Sequence, residues 1–474
     1  MGESGLYPES QVFKDGIAYS LTKASDGGSK RLAISGDIAG FRDGVLAEDG
    51  VWLFPLTPEN AVQLRSRLPW LRPRVLGVRM SAGCGDRLGL ATPGHVRAFR
   101  IAGGGITPFF CQQSMRENTR TGRSPQQVLD DAMWGVFEAG WNGPWGADAD
   151  HLKTVDDIDL CLAAGYTFFT VDPGDHVDNG AQSACAELLA AKLQALPWKD
   201  LDDTESGLRR RYVGRTFECE DVAVVFDEPV LARAAAKYGR AIAHTARLHR
   251  LLVDRGQPFE LEMSVDETET PTSVAEHVFI VLELKRLGVQ LVSLAPRYVG
   301  RFEKGVDYIG DLERFERDLA QHASIARSLG PYKLSIHSGS DKFSVYPIFA
   351  RYARGRAHLK TAGTSYLEAL RAIALVEPGF FRTLLLFALE RYERDRRTYH
   401  VSAMASRVPR LVSLANDQLP GLLDQFDARQ VLHVTFGSVL DRYGSELQSV
   451  LASQEDAHYA ALEAHFMRHL EPFV

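Results

Sequence analysis

Asp150 and His151 stand side by side at the end of a short apolar run, and a second histidine, His337, ends another run much further along the chain. A carboxylate beside an imidazole can take a proton while the ring nitrogen takes a metal ion. Two imidazoles from separate strand ends, with a carboxylate such as Glu262 nearby, make a mixed nitrogen and oxygen donor set suited to Zn, Mn, Co or Ni. For His337 the other reading is a core histidine bonded to a backbone carbonyl. That reading is the stronger one for His358, two residues before Lys360. His458, His465 and His469 fall in a helical tail and read as helix-surface residues.

These groups need elements that bring them to one surface. From Gly146 to Val177 the order is strand, helix, strand. Thr154, three residues before Asp157, forms a capping-box pattern. Ile158 and Leu162 recur at helical spacing, and Gly165 supplies a stop. Tyr166 to Val171 is aromatic and β-branched, as a buried strand requires, and it ends at Asp172. Such a βαβ unit has parallel strands whose C-terminal ends face the same way.

Similar runs recur at Val75–Met80, Pro108–Gln112, Phe259–Val265, Gln290–Ala295, Lys333–His337 and Ala357–Lys360. Eight runs, most of them separated by a helical stretch, predict a closed (β/α)8 TIM barrel over 75–363, with a polar insertion near 177–227. An open doubly wound sheet is the alternative, but no GxGxxG joins a strand to a helix, which disfavours a dinucleotide fold. Residues 1–74 read as an N-terminal β-rich cover or an oligomer contact, with strands at Ile17–Thr22, Arg31–Ser35 and Val51–Phe54. Residues 364–474 read as a C-terminal helical extension.

What ends the strands argues for an enzyme. Asp86 and Arg87, Gln112 and Ser114, Asp150 and His151, Asp172, Glu262 with Asp266 and Glu267, Arg297, His337 and Lys360 all follow apolar runs. Catalytic groups in barrels gather at the C-terminal strand ends, where loops vary over a packed core. Taken singly, Asp172, Asp266 and Arg297 read better as turn formers or salt-bridge partners.

Composition narrows the class. The 474 residues are 45% hydrophobic and 24% charged, with a formal net charge of −7. Mild acidity gives no electrostatic case for nucleic acid or an anionic membrane. No apolar run is long enough to span a bilayer, and no basic-then-apolar leader is present. Five scattered cysteines without a CxxC pair fit a reduced cytoplasm better than a disulfide framework or a structural zinc site.

Longer motifs add a resemblance. GDRLGLATPGH, QQSMRENTRTGRSPQQVLDDAMWGVFEAGW, GADADHLKT, DPGDHVDN, HSGSDKFSVYPIF and HLKTAGTSYLEALR resemble the tagaturonate/fructuronate epimerases, from about 84 to 371. The resemblance implies a divalent-metal enzyme that inverts carbon 4 of a 2-ketohexuronate, a small sugar acid. More distantly, Asp150–His151, FELEM and His337-Ser338-Gly339-Ser340 are similar to segments of the metal-dependent class II aldolases. There the aspartate is a base and both histidines bind the ion. The sixth strand ends in APRYVG and offers no third histidine.

Carbon 4 of a 2-keto sugar bears no acidic hydrogen, because the carbonyl activates only carbon 3. Breaking and remaking the C3–C4 bond as a retro-aldol avoids that obstacle. The roles expected are Asp150 and Glu262 in proton transfer and His151 and His337 on the metal. Arg87, Lys153, Lys342 and Lys360 are expected as partners of the substrate carboxylate, and Gln112, Ser114 and Asp172 as further substrate contacts. An aldolase or isomerase of a related sugar, and a sugar-binding protein on a decayed barrel, are the competing classes.

Overall fold

Eight parallel strands close on themselves in the computed structural model of the chain, which describes residues 5–23, 29–337 and 341–474. In chain order they are β1 (Ser81–Gly83), β2 (Thr107–Ser114), β3 (Gly146–Leu152), β4 (Phe168–Val171), β5 (Glu260–Ser264), β6 (Leu291–Ala295), β7 (Lys333–His337) and β8 (Ala357–Lys360). Each pairs with its sequence neighbour, and β8 pairs with β1 through Lys360 opposite Gly83, closing the barrel. The open doubly wound sheet is thereby excluded.

The first strand is displaced from its expected place. Val75–Met80 is not a strand; Gly77 has φ +72, and the backbone amides of Leu76 and Gly77 are both bound by the Glu260 carboxylate, Leu76 at 2.8 Å. The apolar residues of that run make a turn under the barrel floor. The strand itself is the short, small Ser81-Ala82-Gly83, which carries too little side chain to show as a hydrophobic run.

The barrel interior departs from an apolar core. Side chains alternate along a strand, so residues two apart share a face. The inward set includes Asp148 and Asp150 on β3, Glu260 and Glu262 on β5, Lys333 and His337 on β7, and His358 and Lys360 on β8, and all of them are buried. Polar groups survive at that depth only when paired. His358 accordingly lies 2.8 Å from the Ser81 hydroxyl, and burial lowers its imidazole to about 4. Lys333 donates to the same hydroxyl at 3.0 Å and lies over the rings of Phe109 and Phe168.

Outside the barrel, an antiparallel sheet of five strands runs from Val12 to Pro55, and its Leu21, Leu32, Ile34 and Phe54 join the hydrophobic core of the barrel helices. Residues 177–227 hold a 3-10 turn, two short α-helices and the hairpin Arg215–Cys219/Val222–Phe226. After β8 the chain is helical, and Tyr366, Leu370, Phe381, Leu385 and Leu432 belong to a second apolar cluster. Among the described residues no helix is long and apolar enough to cross a membrane.

The C-terminal histidines correct one expectation. His458, His465 and His469, expected on a helix surface, are buried at 1%, 4% and 1% exposure. Both His465 and His469 place Nε2 2.9 Å from Oδ1 of Asp341, in the loop after β7, and Arg429 holds the other oxygen. Their helix, Glu455–Leu470, lies against the helix Thr92–Ala102 that follows β1. Its polar residues are thus covered by partners distant in sequence.

Candidate active site

Asp150 and His151 are neighbours, so a regular strand would point them to opposite faces. Here β3 carries a bulge: Ala149 pairs with Phe169 and Leu152 with Val171, leaving an extra residue between, and His151 has φ +52. A bulge re-aims side chains at barrel rims, and both residues line one cavity at the C-terminal mouth. A left-handed backbone costs a non-glycine residue roughly 1–2 kcal/mol, which is conformational strain located at this mouth.

His151 and His337 meet there. Nε2 of His151 lies 3.2 Å from Nδ1 of His337, with the rings perpendicular. Behind them the outer nitrogens are tethered to carboxylates, His151 Nδ1 to Asp172 at 3.3 Å and His337 Nε2 to Glu262 at 2.6 Å. Such tethers fix ring orientation and tautomer. Asp150, His151 and His337 each offer a donor atom within 4.8 Å of the others, as do His151, Asp172 and Glu267.

Lys360 holds the carboxylates in place. Its ammonium lies 2.8 Å from Asp150, 2.9 Å from Asp148 and 2.9 Å from Glu262. Burial acts to raise the Asp150 carboxyl, but Lys360, His151 and His337 outweigh it, and the group stays ionised well below the usual carboxylate range. Burial likewise opposes charge on His151, yet Asp150 and the bond to Asp172 carry its imidazole up to about 10. Glu262 lies far below its ordinary value, burial being outweighed by Lys360 and His337.

Two connected spaces form the mouth. The inner one is lined by Arg87, Gln112, Ser114, Asp150, His151, His337 and Lys360, among others. The outer one, about 480 Å³, shares Arg116, Lys304, His337 and Tyr399 with it. Thr398, Tyr399 and His400 come from the C-terminal extension and wall the outer space, Tyr399 reaching the inner one as well, with His433 beside the inner one. Residues 177–227 contribute no lining residue to either space.

The comparisons with known proteins bear on this arrangement. The family model for tagaturonate epimerase matches residues 12–473. The chain belongs to the tagaturonate epimerase family. A tagaturonate/fructuronate epimerase of Thermotoga maritima is 43% identical over 473 residues, covering 98% of this chain and 96% of that one. Two solved structures of a fructuronate–tagaturonate epimerase from Cohnella laeviribosi are 37% identical. The native one superposes with a TM-score of 0.94 over 100% of this chain and 97% of that one, and one with bound glycerol with 0.93 over 99% and 96%.

Within this family member the expected site residues separate by place. Asp150, His151, His337, Lys360, Arg87, Gln112 and Ser114 lie together at the mouth. Gln112 accepts the Thr361 amide on its carbonyl and leaves its buried Nε2 without a partner among the described residues. Glu262, wholly buried, lines neither space and sits behind His337 and Lys360 as their tether. Asp172 likewise faces His151. Lys153 is at the surface on Asp175, at 3.2 Å. Lys342 turns inward onto the carbonyls of Glu303 (2.9 Å) and Val306, and burial lowers its ammonium to about 7. Ser338-Gly339-Ser340 lies outside the described residues.

Asp148, Thr170, Arg116, Lys304, Tyr399 and His433 were not legible as site residues. Asp148 and Thr170, two residues before Asp150 and Asp172, carry the period-two signal that could have found them. Lys304 and Tyr399 lie in loops, and Arg116 and His433 lie on helices outside the strand pattern, so no strand periodicity points to them.

Ser114 has a second duty. Its hydroxyl accepts from the Glu117 amide at 3.2 Å in a capping box that starts the helix Met115–Thr121, the helix bearing Arg116. Ser114→Ala is expected to lower stability by ~1 kcal/mol, read as a reduced urea midpoint. An unchanged midpoint would show that the cap contributes nothing.

Proposed function

We propose that the chain inverts carbon 4 of a 2-ketohexuronate, interconverting D-tagaturonate and D-fructuronate, by retro-aldol cleavage and re-addition with a divalent cation (Zn, Mn, Co or Ni). The observation carrying this reading is the 3.2 Å approach of two carboxylate-tethered histidines beside an ionised aspartate, at the mouth of a family member's barrel.

The residues present fit a divalent ion on two grounds. The donors are imidazole nitrogen and carboxylate oxygen, the set such ions take. The charge balance also asks for a cation. Buried Asp148, Asp150 and Glu262 share one ammonium group, that of Lys360, so two negative charges are in excess before the imidazoles beside them are counted. Excess buried charge of one sign is costly unless it is paired or coordinates a metal. His151 and His337 would hold the ion, and when bound it would supply Lewis-acid polarisation of the 2-keto oxygen.

The chain's own groups then account for the rest. Asp150, kept ionised by Lys360, accepts the proton of the 4-hydroxyl. The C3–C4 bond breaks, its electron pair passing to carbon 3 as an enediolate while carbon 4 becomes an aldehyde. The aldehyde fragment turns within the enclosed mouth and carbon 3 attacks its other face. The protonated Asp150 returns its proton to the new 4-oxygen. Gln112 is placed to hold a hydroxyl through this rotation, and the wall of Thr398, Tyr399 and His400 keeps the fragment from leaving.

The test is product identification from D-tagaturonate in D₂O. The expected product is D-fructuronate without deuterium at carbon 4, since the bond from carbon 4 to its hydrogen is never broken. Deuterium at carbon 4 would require direct deprotonation and defeat the retro-aldol scheme. Accumulation of the two three-carbon fragments would instead make the protein an aldolase.

A further inference from the structure

The mouth of the barrel is rich in cations, and all but one of them already have a carboxylate. Arg87 lies 2.8 Å from Glu117, Arg116 and Lys304 lie 3.4 and 3.5 Å from Glu267, Arg301 lies 3.5 Å from Glu303, and Lys360 has three acidic partners. Arg297 differs. Among the described residues no carboxylate oxygen lies within 4.0 Å of its guanidinium, which spends a single hydrogen bond, 3.0 Å to the carbonyl of Tyr298. The salt-bridge role read for it from the sequence is therefore not what the fold provides.

Its backbone is held firmly. The Arg297 amide donates to the Thr272 hydroxyl at 3.0 Å, and its carbonyl accepts from the Thr272 amide at 2.8 Å. The residue stands two positions beyond β6 and lines the outer cavity together with His337. The nearby acid, Asp266, is engaged elsewhere: it accepts from Ser264 at 2.6 Å and lies 3.6 Å from His337. Burial also lowers the basicity of Arg297, with Asp266 acting the other way but not outweighing it.

A guanidinium offers five donors in a planar fork that matches a carboxylate. One with a clamped backbone, half-buried in a cavity wall and lacking an acidic partner, is preorganised for an anion from outside. We infer that Arg297 binds the carboxylate of the sugar acid and so makes the site selective for uronates over neutral ketoses. This rests on the epimerase reading, which puts the 2-keto group at the histidines and the carboxylate at the opposite end of the substrate. Of the two fragments of cleavage, Arg297 holds the one that carries the aldehyde and must turn about its anchored end.

The experiment uses the metal-loaded full chain and its Arg297→Met and Arg297→Lys variants. Steady-state kinetics on D-tagaturonate are paired with NMR titrations of D-glycerate, which mimics the acid half, and dihydroxyacetone, which mimics the ketone half. Losing a charge-assisted hydrogen-bond pair is expected to raise KM and the glycerate Kd roughly 10- to 100-fold in Arg297→Met. Dihydroxyacetone binding should be unchanged, which also shows that the variant is folded. Arg297→Lys should recover part of the loss. Glycerate binding within about twofold of wild type in Arg297→Met would overturn the assignment. Wild-type protein that binds glycerate through Arg297 but does not turn over D-tagaturonate would refute the epimerase reading while leaving the carboxylate site in place.

Discussion

Asp150→Asn is expected to bind its divalent ion and fold normally while turnover falls by ~10²–10⁴-fold, the usual contribution of general-base assistance. The amide keeps the shape of the carboxylate but cannot take the 4-hydroxyl proton. The effect is specific because Asp150 is not the main tether of either histidine: His151 leans on Asp172 and His337 on Glu262. A loss larger than this would mean that Asp150 also orients the substrate. Steady-state kinetics with metal analysis of the same sample reads both quantities. Near-wild-type turnover would remove Asp150 from the reaction.

Removal of the ion should abolish activity altogether. Chelation followed by dialysis is expected to give inactive protein, restored by Mn, Co, Ni or Zn. Full activity in metal-free protein would end the metal proposal. His337→Ala should behave unlike Asp150→Asn, because it deletes a donor, and metal content and turnover should fall together. It also leaves Glu262 without its 2.6 Å partner in a wholly buried position. Stranding a buried charge in this way costs about 3–5 kcal/mol, although Lys360 at 2.9 Å remains to offset part of it. His337→Gln, which retains a hydrogen-bonding side chain there, separates loss of the ion from loss of stability.

Much of the barrel was legible in the chain because β-branched runs ending in polar groups are what parallel strands leave behind. Lys333–His337 and Ala357–Lys360 are strands over the residues read from the sequence. The first strand was not, since Ser81-Ala82-Gly83 has no hydrophobic signature and the apolar run before it was spent on a turn. At the mouth, the charged ends of β3, β7 and β8 could be named because polar residues that follow apolar runs stand at strand ends. Their partners were harder to see. Glu262 reads as a proton carrier until coordinates place it behind His337, and His465 and His469 read as surface until Asp341 is found on their nitrogens. Buried polar residues look exposed in a sequence because their partners lie far away in it. Arg297 was misread for the opposite reason, an arginine after a strand usually having an acid waiting.

The contacts of Asp341 bear on how the protein comes to exist. Asp341 lies four residues beyond His337, and its carboxylate is grasped by Arg429, His465 and His469, the last of them five residues from the C-terminus. A ribosome delivers the chain from the other end, so all eight strands have been synthesised before the helix Glu455–Leu470 exists. Until that helix docks, the acid can have Arg429, from the earlier helix Phe426–Val434, but neither imidazole. A nascent or C-terminally clipped chain would thus own a barrel but not a settled mouth. Loss of the helix Glu455–Leu470 should therefore be felt at Asp341, close behind β7, and not only where the helix itself packs.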